Sequence, residues 1–290
     1  MKLPLNRLQQ AGFLPSSVRL QDRFSQMRNP SQLKGGIMTE PEIQGTAEST
    51  PGLTQGQRII YTFAAPSKTF EDIKRGNKSW WLPFLISVVF AYALFGAITT
   101  KVGWEQVTEN VMNMNQKSAE RMAQMPADQR ATTMKFTQYS MEGGFAATPI
   151  LVLVFAVVIA GVMLGTINFI FGGKAKFGSV FAVWFYASLP GLIKSILGTI
   201  VLFAGMAPES FNLANFAPTN LGAFLSPQDT NPALYKLATS LDFTTIWYLV
   251  LFGIGLSIVS GVKRSTGYIA VFGWWVIIVL ASAGWAAAFG

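Results

Sequence analysis

Five long apolar segments decide what this chain can fold into. Each approaches or exceeds the roughly 20 apolar residues that an α-helix needs to cross about 30 Å of hydrocarbon. Membrane-spanning β-strands would be only about ten residues long and would alternate in polarity. The sequence therefore predicts an all-α, polytopic integral membrane helical bundle with five transmembrane helices, over about 80–99, 147–171, 180–204, 246–262 and 268–289.

The distribution of Lys and Arg among the connections predicts how these helices are oriented. The N-terminal region is strongly basic, and the short second and fourth connections contain Lys and Arg but no acids. The long first and third connections are mixed in charge, and the C-terminus is uncharged. Because cytoplasmic connections carry an excess of Lys and Arg, we expect a cytoplasmic N-terminus and a C-terminus on the outer side.

The chain divides into three parts. Residues 1–58 lack an apolar run, which predicts disorder, and residues 1–37 are either an Arg-rich organellar leader or, as we favour, the product of a start assigned too far upstream. Residues 59–79 form an amphipathic juxtamembrane segment with Thr69 as its predicted N-cap. This segment either lies on the cytoplasmic leaflet or simply leads into the first span. Residues 80–289 form the transmembrane domain.

Composition argues against an enzyme. The chain contains no His and no Cys, so the usual general base and the soft metal ligands are missing. The adjacent Lys194 and Ser195 project about 100° apart on one helix and do not form a catalytic dyad by themselves. We expect no enzymatic activity and no cofactor or metal. The net charge of +8 lies mainly beside the spans, which favours anionic lipid headgroups over nucleic acid as a partner.

Two polar residues within the spans are candidates for a functional site. Lys194 is the only charged side chain within a predicted span, and such a charge suggests function, although we favour an extended side chain that reaches the outer headgroups. Asn168 needs a hydrogen-bond partner and is expected to join helices rather than to bind a ligand. Pro190 is expected to bend the third helix for packing; the competing hypothesis is a transport path.

Small residues at i, i+4 spacing predict close helix contacts. Gly161 and Gly165 share one face of the second span, and Ser257 and Gly261 share one face of the fourth. Such pairs let two helix backbones approach. We favour packing within the chain over self-association with a second copy.

Two sequence runs carry a family resemblance. Phe63-Ala-Ala-Pro66-Ser-Lys-Thr-Phe70 precedes the first span, and Phe185-Tyr186-Ala-Ser-Leu-Pro190 lies in the third. With the five spans and the long first outer connection, residues 60–289 resemble the bacterial form of the Yip1 domain family. The motif positions are Pro66, Phe70, Tyr186 and Pro190.

The resemblance implies a five-span membrane protein without catalytic residues, in a bacterial cytoplasmic membrane. Eukaryotic members associate with small GTPases in vesicle traffic, but their short Asp-Leu-Tyr-Gly-Pro-type motif is missing here. The expected function is therefore that of a non-enzymatic scaffold or membrane-organising protein. The alternatives are a small transporter or channel that uses Lys194 and, lowest, an intramembrane enzyme.

Overall fold

The computed structural model describes residues 52–114 and 116–289, and the prediction about residues 1–37 lies outside them. The first helix, α1, covers Gln55–Ala64. It begins at a capping box in which the side chains of Thr54 and Gln57 each accept the other's backbone N–H. The predicted disorder of residues 1–58 is therefore wrong at its C-terminal edge, because the local capping chemistry starts a helix there.

The second helix, α2, covers Pro66–Arg75 and folds back on α1 as a hairpin. Pro66 occupies the first turn, where its missing N–H costs no hydrogen bond. The prediction of Thr69 as the N-cap is wrong, since the helix starts earlier and the Thr69 hydroxyl donates to the Arg58 carbonyl at 2.9 Å. Phe70 and Ile73 are fully buried in the main core, so α2 packs its apolar side against the bundle.

Five helices are long and apolar enough to cross a membrane in the part of the chain that the structure describes, which confirms the predicted fold class. The first span is α3, and the long connection after it forms three further helices, α4 to α6. The second span begins as α7 and ends in a π-helical turn, Thr166–Ile170. The bounds are α3 Trp81–Lys101, α4 Trp104–Asn113, α5 Gln116–Gln124, α6 Ala127–Ala146 and α7 Thr148–Gly165.

The third span bends where the sequence predicts. Its halves, α8 (Phe177–Ala187) and α9 (Leu192–Phe203), are joined by a 3₁₀ turn over Leu189–Gly191. Pro190 cannot donate a backbone hydrogen bond. The Ser188 hydroxyl donates to the Phe185 carbonyl at 3.0 Å at this break, so the side chain satisfies a carbonyl beside the bend.

The remaining helices complete the bundle around the fourth span. They are α10 (Pro232–Ser240), α11 (Phe243–Ser260) and α12 (Arg264–Phe289). The central span α11 packs against α2, α8 and α12. It is the most buried span, whereas α3, α7 and α12 expose most of their apolar surface.

The two ends of the bundle differ in construction. The α1–α2 hairpin shares one end with the two short connections, since Arg264 Nη2 donates to Ser67 Oγ at 2.7 Å and Lys174 N donates to Ser260 O at 2.9 Å. At the other end the two long connections pack together around a second apolar cluster. There Asn110 Nδ2 lies 2.8 Å from Pro208 O and 2.9 Å from Phe211 O, which ties one long connection to the other.

Candidate functional site

A buried ion pair lies where the hairpin meets the bundle. Arg58 on α1 and Asp72 on α2 approach to 3.0 Å between Nε and Oδ2, and their side chains are only 1% and 5% exposed. Removing two charges from water is costly, and their attraction offsets this cost only with good geometry and further hydrogen bonds. The stability of the pair therefore depends on the groups that surround it.

Backbone groups supply part of that shell. Arg58 Nη1 donates to the carbonyl oxygens of Asn77 and Ser79, each at 3.2 Å. Asp72 Oδ1 accepts the backbone N–H of Leu53 at 3.1 Å. The pair thus fastens the chain on both sides of the hairpin, the segment entering α1 and the segment leaving α2.

Tyr186 connects this pair to the third span. Its hydroxyl oxygen accepts from Arg58 Nη1 at 3.3 Å, and its O–H donates to Gln55 Oε1 at 2.7 Å. The guanidinium carbon of Arg58 lies 5.7 Å from the centre of the Tyr186 ring, within cation–π range. Gln55 also contacts Ser79 through its side-chain amide. We call Gln55, Arg58, Asp72, Ser79 and Tyr186 the hairpin lock.

The four motif positions lie at or close to this lock. Pro66 starts α2, Phe70 is buried beside Gly255 of the central span, and Tyr186 belongs to the lock. Pro190 forms the bend one turn beyond Tyr186. The sequence does not predict Arg58 and Asp72 as site residues. The signal that could have suggested them is the presence of a basic residue on α1 and an acidic residue on α2.

Outside the lock, the hairpin end of the bundle carries a surface of positive charge. Glu71 is the exposed acid among the described residues of α2, and the cations around it outnumber it. We call this surface the basic face. It consists of the exposed Lys68, Lys74, Arg75, Lys174, Lys176, Lys263 and Arg264 and the half-buried Lys78.

Lys194 forms an ion pair with an acidic residue that the sequence did not predict as its partner. Its Nζ lies 3.0 Å from Oδ2 of Asp242, the residue that caps α11, and the two side chains are 32% and 1% exposed. The Asp242 carboxylate also accepts from the hydroxyls of Thr219 and Thr244, each at 2.6 Å, and from the backbone of Thr245 at 2.9 Å. Burial alone would raise the pKa of Asp242, but these hydrogen bonds and Lys194 lower it to about 2.

The side chain of Asn168 holds the short second connection against the end of the second span. In the π-helical turn its side chain forms two bonds with Ala175, accepting from the backbone N–H at 2.9 Å and donating to the carbonyl at 3.0 Å. Gly172 between them has φ +68°, a conformation that favours glycine. Asn168 therefore shapes the short second connection, and its partner lies in that connection.

The predicted small-residue pairs differ in their surroundings. A Cβ built on Gly161 or Gly165 would meet nothing within 4 Å, so the expectation that they pack against another helix of this chain is wrong. Gly261 ends α11 in the left-handed conformation, where it serves as a helix terminus. Ser257 is buried, and its Cβ would lie 2.9 Å from a Cβ built on Gly267 of α12.

Other glycines make the close helix contacts. A Cβ on Gly253 would lie 2.5 Å from the Tyr268 ring, and one on Gly267 would overlap the Gly253 carbonyl. These two positions let α11 and α12 form a tight antiparallel pair. Among the described residues, no group of three or more acidic side chains comes together as a metal-ligand cluster.

The five spanning helices, two buried cores and polar caps define the class, a multi-pass integral membrane protein built as an α-helical bundle. The family model described as the Yip1 domain matches residues 60–286, and the chain belongs to the Yip1 family. No curated protein and no solved structure matches the chain.

Proposed function

We propose that the chain is a non-enzymatic scaffold that organises the membrane through the basic face. The observation that supports this most is the hairpin lock. It holds α1 and α2 against the third and fourth spans through buried bonds, so the exposed cations of α2 sit on a preformed surface. Binding to a preformed surface avoids much of the ordering cost that a flexible segment would bear.

The charge of that face indicates its side of the membrane and its partners. Cytoplasmic surfaces carry the excess of Lys and Arg, which supports our proposal that the basic face and the N-terminus lie in the cytoplasm and the C-terminus outside, in a bacterial cytoplasmic membrane. Anionic headgroups attract such cations at short range. Exposed Ile60 and Phe63 on α1 add apolar contact area beside the charges, which suits a protein partner.

A second candidate function is transport. Lys194 and Gly191, at the bend of the third span, line a cavity of about 280 Å³ together with Thr244 and Tyr248. A conductive path would need Lys194 to leave Asp242. Flux through proteoliposomes that disappears in Lys194→Leu and persists in Lys101→Leu would favour this function over a scaffold.

Affinity capture from native membranes tests the scaffold. The variant Lys74→Gln/Arg75→Gln/Lys78→Gln removes charge from the basic face, and Lys101→Gln/Lys135→Gln/Lys236→Gln removes equal charge elsewhere. We expect a defined protein partner with the wild type and the second variant, and its loss with the first. Recovery of lipid alone, or of a partner that the first variant retains, would contradict the proposal.

A further inference from the structure

A groove made of two adjoining cavities lies along α7 and α11, with α12 beside its deeper part. Its deeper part has a volume of about 340 Å³ and is lined by Val162, Val271 and Trp274 among other apolar side chains. The cavity beside Lys194 adjoins it, since Ile159 and Tyr248 line both.

The depth of this groove matches one leaflet of a bilayer. Along α11 its lining runs from Thr244, at the start of the span, to Phe252. Eight residues of helix correspond to roughly 12 Å at 1.5 Å per residue, close to half of a hydrocarbon core of about 30 Å. The groove therefore runs from the end of α11 opposite the hairpin to about the middle of that span.

The two ends of the groove also differ in polarity. The deep part is lined almost entirely by aliphatic and aromatic side chains. The shallow end holds the Lys194 ammonium and the side chains of Ser188 and Thr245. An ammonium has three N–H donors, and the bond to Asp242 uses one of them. The Asp242 carboxylate is shared among the Thr219, Thr244 and Thr245 donors as well, which leaves Lys194 able to bind a second anion.

We propose that this groove is a binding site for one glycerophospholipid, whose acyl chain fills the apolar part and whose phosphate contacts Lys194. Acyl chains are the medium into which the groove opens, and contact with a shaped wall gains dispersion energy that a flat helix surface does not offer. The Lys194 ammonium at the polar end of the groove provides the charge complementary to the phosphate. This site lies at the other end of the molecule from the basic face and is independent of the scaffold function.

Lipid retention measured by native mass spectrometry tests the proposal. The purified full chain is titrated with phosphatidylglycerol and, in a separate arm, with a diacylglycerol of the same chains, which lacks the phosphate. We expect phosphatidylglycerol to bind about tenfold more tightly, the size expected for one charge-assisted contact. This preference should be lost in Lys194→Gln and kept in Lys74→Gln, which removes a cation from the basic face instead. Equal retention of the two lipids would overturn the role of Lys194.

Two tryptophan variants locate the site. Val162→Trp fills the groove, whereas Val157→Trp adds the same bulk to an exposed position five residues earlier, about 140° around the same helix. We expect retention of phosphatidylglycerol to fall about tenfold or more in the first and to stay unchanged in the second. Equal retention by the two variants, both shown to be folded by thermal unfolding, would overturn the proposal.

Discussion

Arg58 Nε lies 3.0 Å from Asp72 Oδ2, and this buried pair joins two short helices that neither span the membrane nor stand apart from the bundle. An unpaired charge at either position would be surrounded by Tyr186 and the backbone of residues 77–79 with no water to solvate it. Each charge is therefore tolerated in the docked hairpin only while its partner is in place. It also fixes the surface on which our proposed function depends.

Replacing Arg58 by Leu should undock the hairpin. The variant leaves Asp72 buried without its partner, a change that costs about 3–5 kcal/mol in other proteins. Hydrogen exchange of α1 and α2 in detergent micelles would show the loss of protection, while the spans stay protected.

Arg264→Leu is the matched control for that loss. Arg264 contacts Ser67 on the hairpin but is exposed, and exposed polar contacts contribute about 1 kcal/mol or less. We expect nearly normal protection in this variant. The double variant Arg58→Leu/Asp72→Leu should regain part of the docking, because no charge is left buried. Equal protection in Arg58→Leu and Arg264→Leu would show that the pair does not hold the hairpin.

Tyr186→Phe isolates the hydroxyl of the lock. The ring and its packing remain, but Gln55 Oε1 loses its donor and Arg58 loses an acceptor. We expect the docking free energy of the hairpin to fall by roughly 1–2 kcal/mol. A double-mutant cycle with Gln55→Leu should show coupling between the two positions, and additive effects would mean that the bond contributes nothing measurable.

The hydrogen bonds to Asp242, together with Lys194, predict a loss of stability only in strong acid. The folded pKa is about 2, below the ordinary value of 3.8, so the stabilisation is complete above about pH 4 and is lost as the pH falls toward 2. The shift corresponds to about 2 kcal/mol. Thermal unfolding from pH 6 to pH 2 should show this loss in the wild type and a smaller one in Asp242→Asn. Equal acid dependence in both would contradict it.

Gly267→Ala should disrupt the pairing of α11 and α12. The added methyl would overlap the Gly253 carbonyl and the Ser257 side chain, and overpacking of this kind costs roughly 1–3 kcal/mol. Gly273→Ala on the same helix meets nothing within 4 Å and serves as the control. Unfolding in mixed micelles titrated with SDS measures both, and equal stability of the two variants would contradict the observed contact.

The spans could be predicted from the sequence because length and hydropathy determine them locally. The bend at Pro190 is local for the same reason, since a missing N–H acts on its own helix. The start of α1 was not predicted from the sequence, although the Thr54–Gln57 capping box is a signal for a helix that begins there. The polar composition around it outweighed that short signal.

The ion pairs could not be predicted because they join distant parts of the chain. Lys194 and Asp242 are separated by a long connection, and they meet because the 3₁₀ turn just before Lys194 packs against α11. Gly161 and Gly165 show the converse problem. Their spacing describes a helix face, but the spacing does not say which faces meet, and Gly253 and Gly267 make the contact instead.

Photocrosslinking in native membranes tests whether the basic face is a partner-binding surface. A photoreactive residue replaces the exposed Glu71 on α2 in one variant and the exposed Phe136 on α6 in another. We expect a discrete protein adduct at position 71 that is lost when Lys74, Arg75 and Lys78 are changed to Gln, and no such adduct at position 136. Lipid adducts alone at position 71, or a protein adduct that survives the loss of charge, would contradict it.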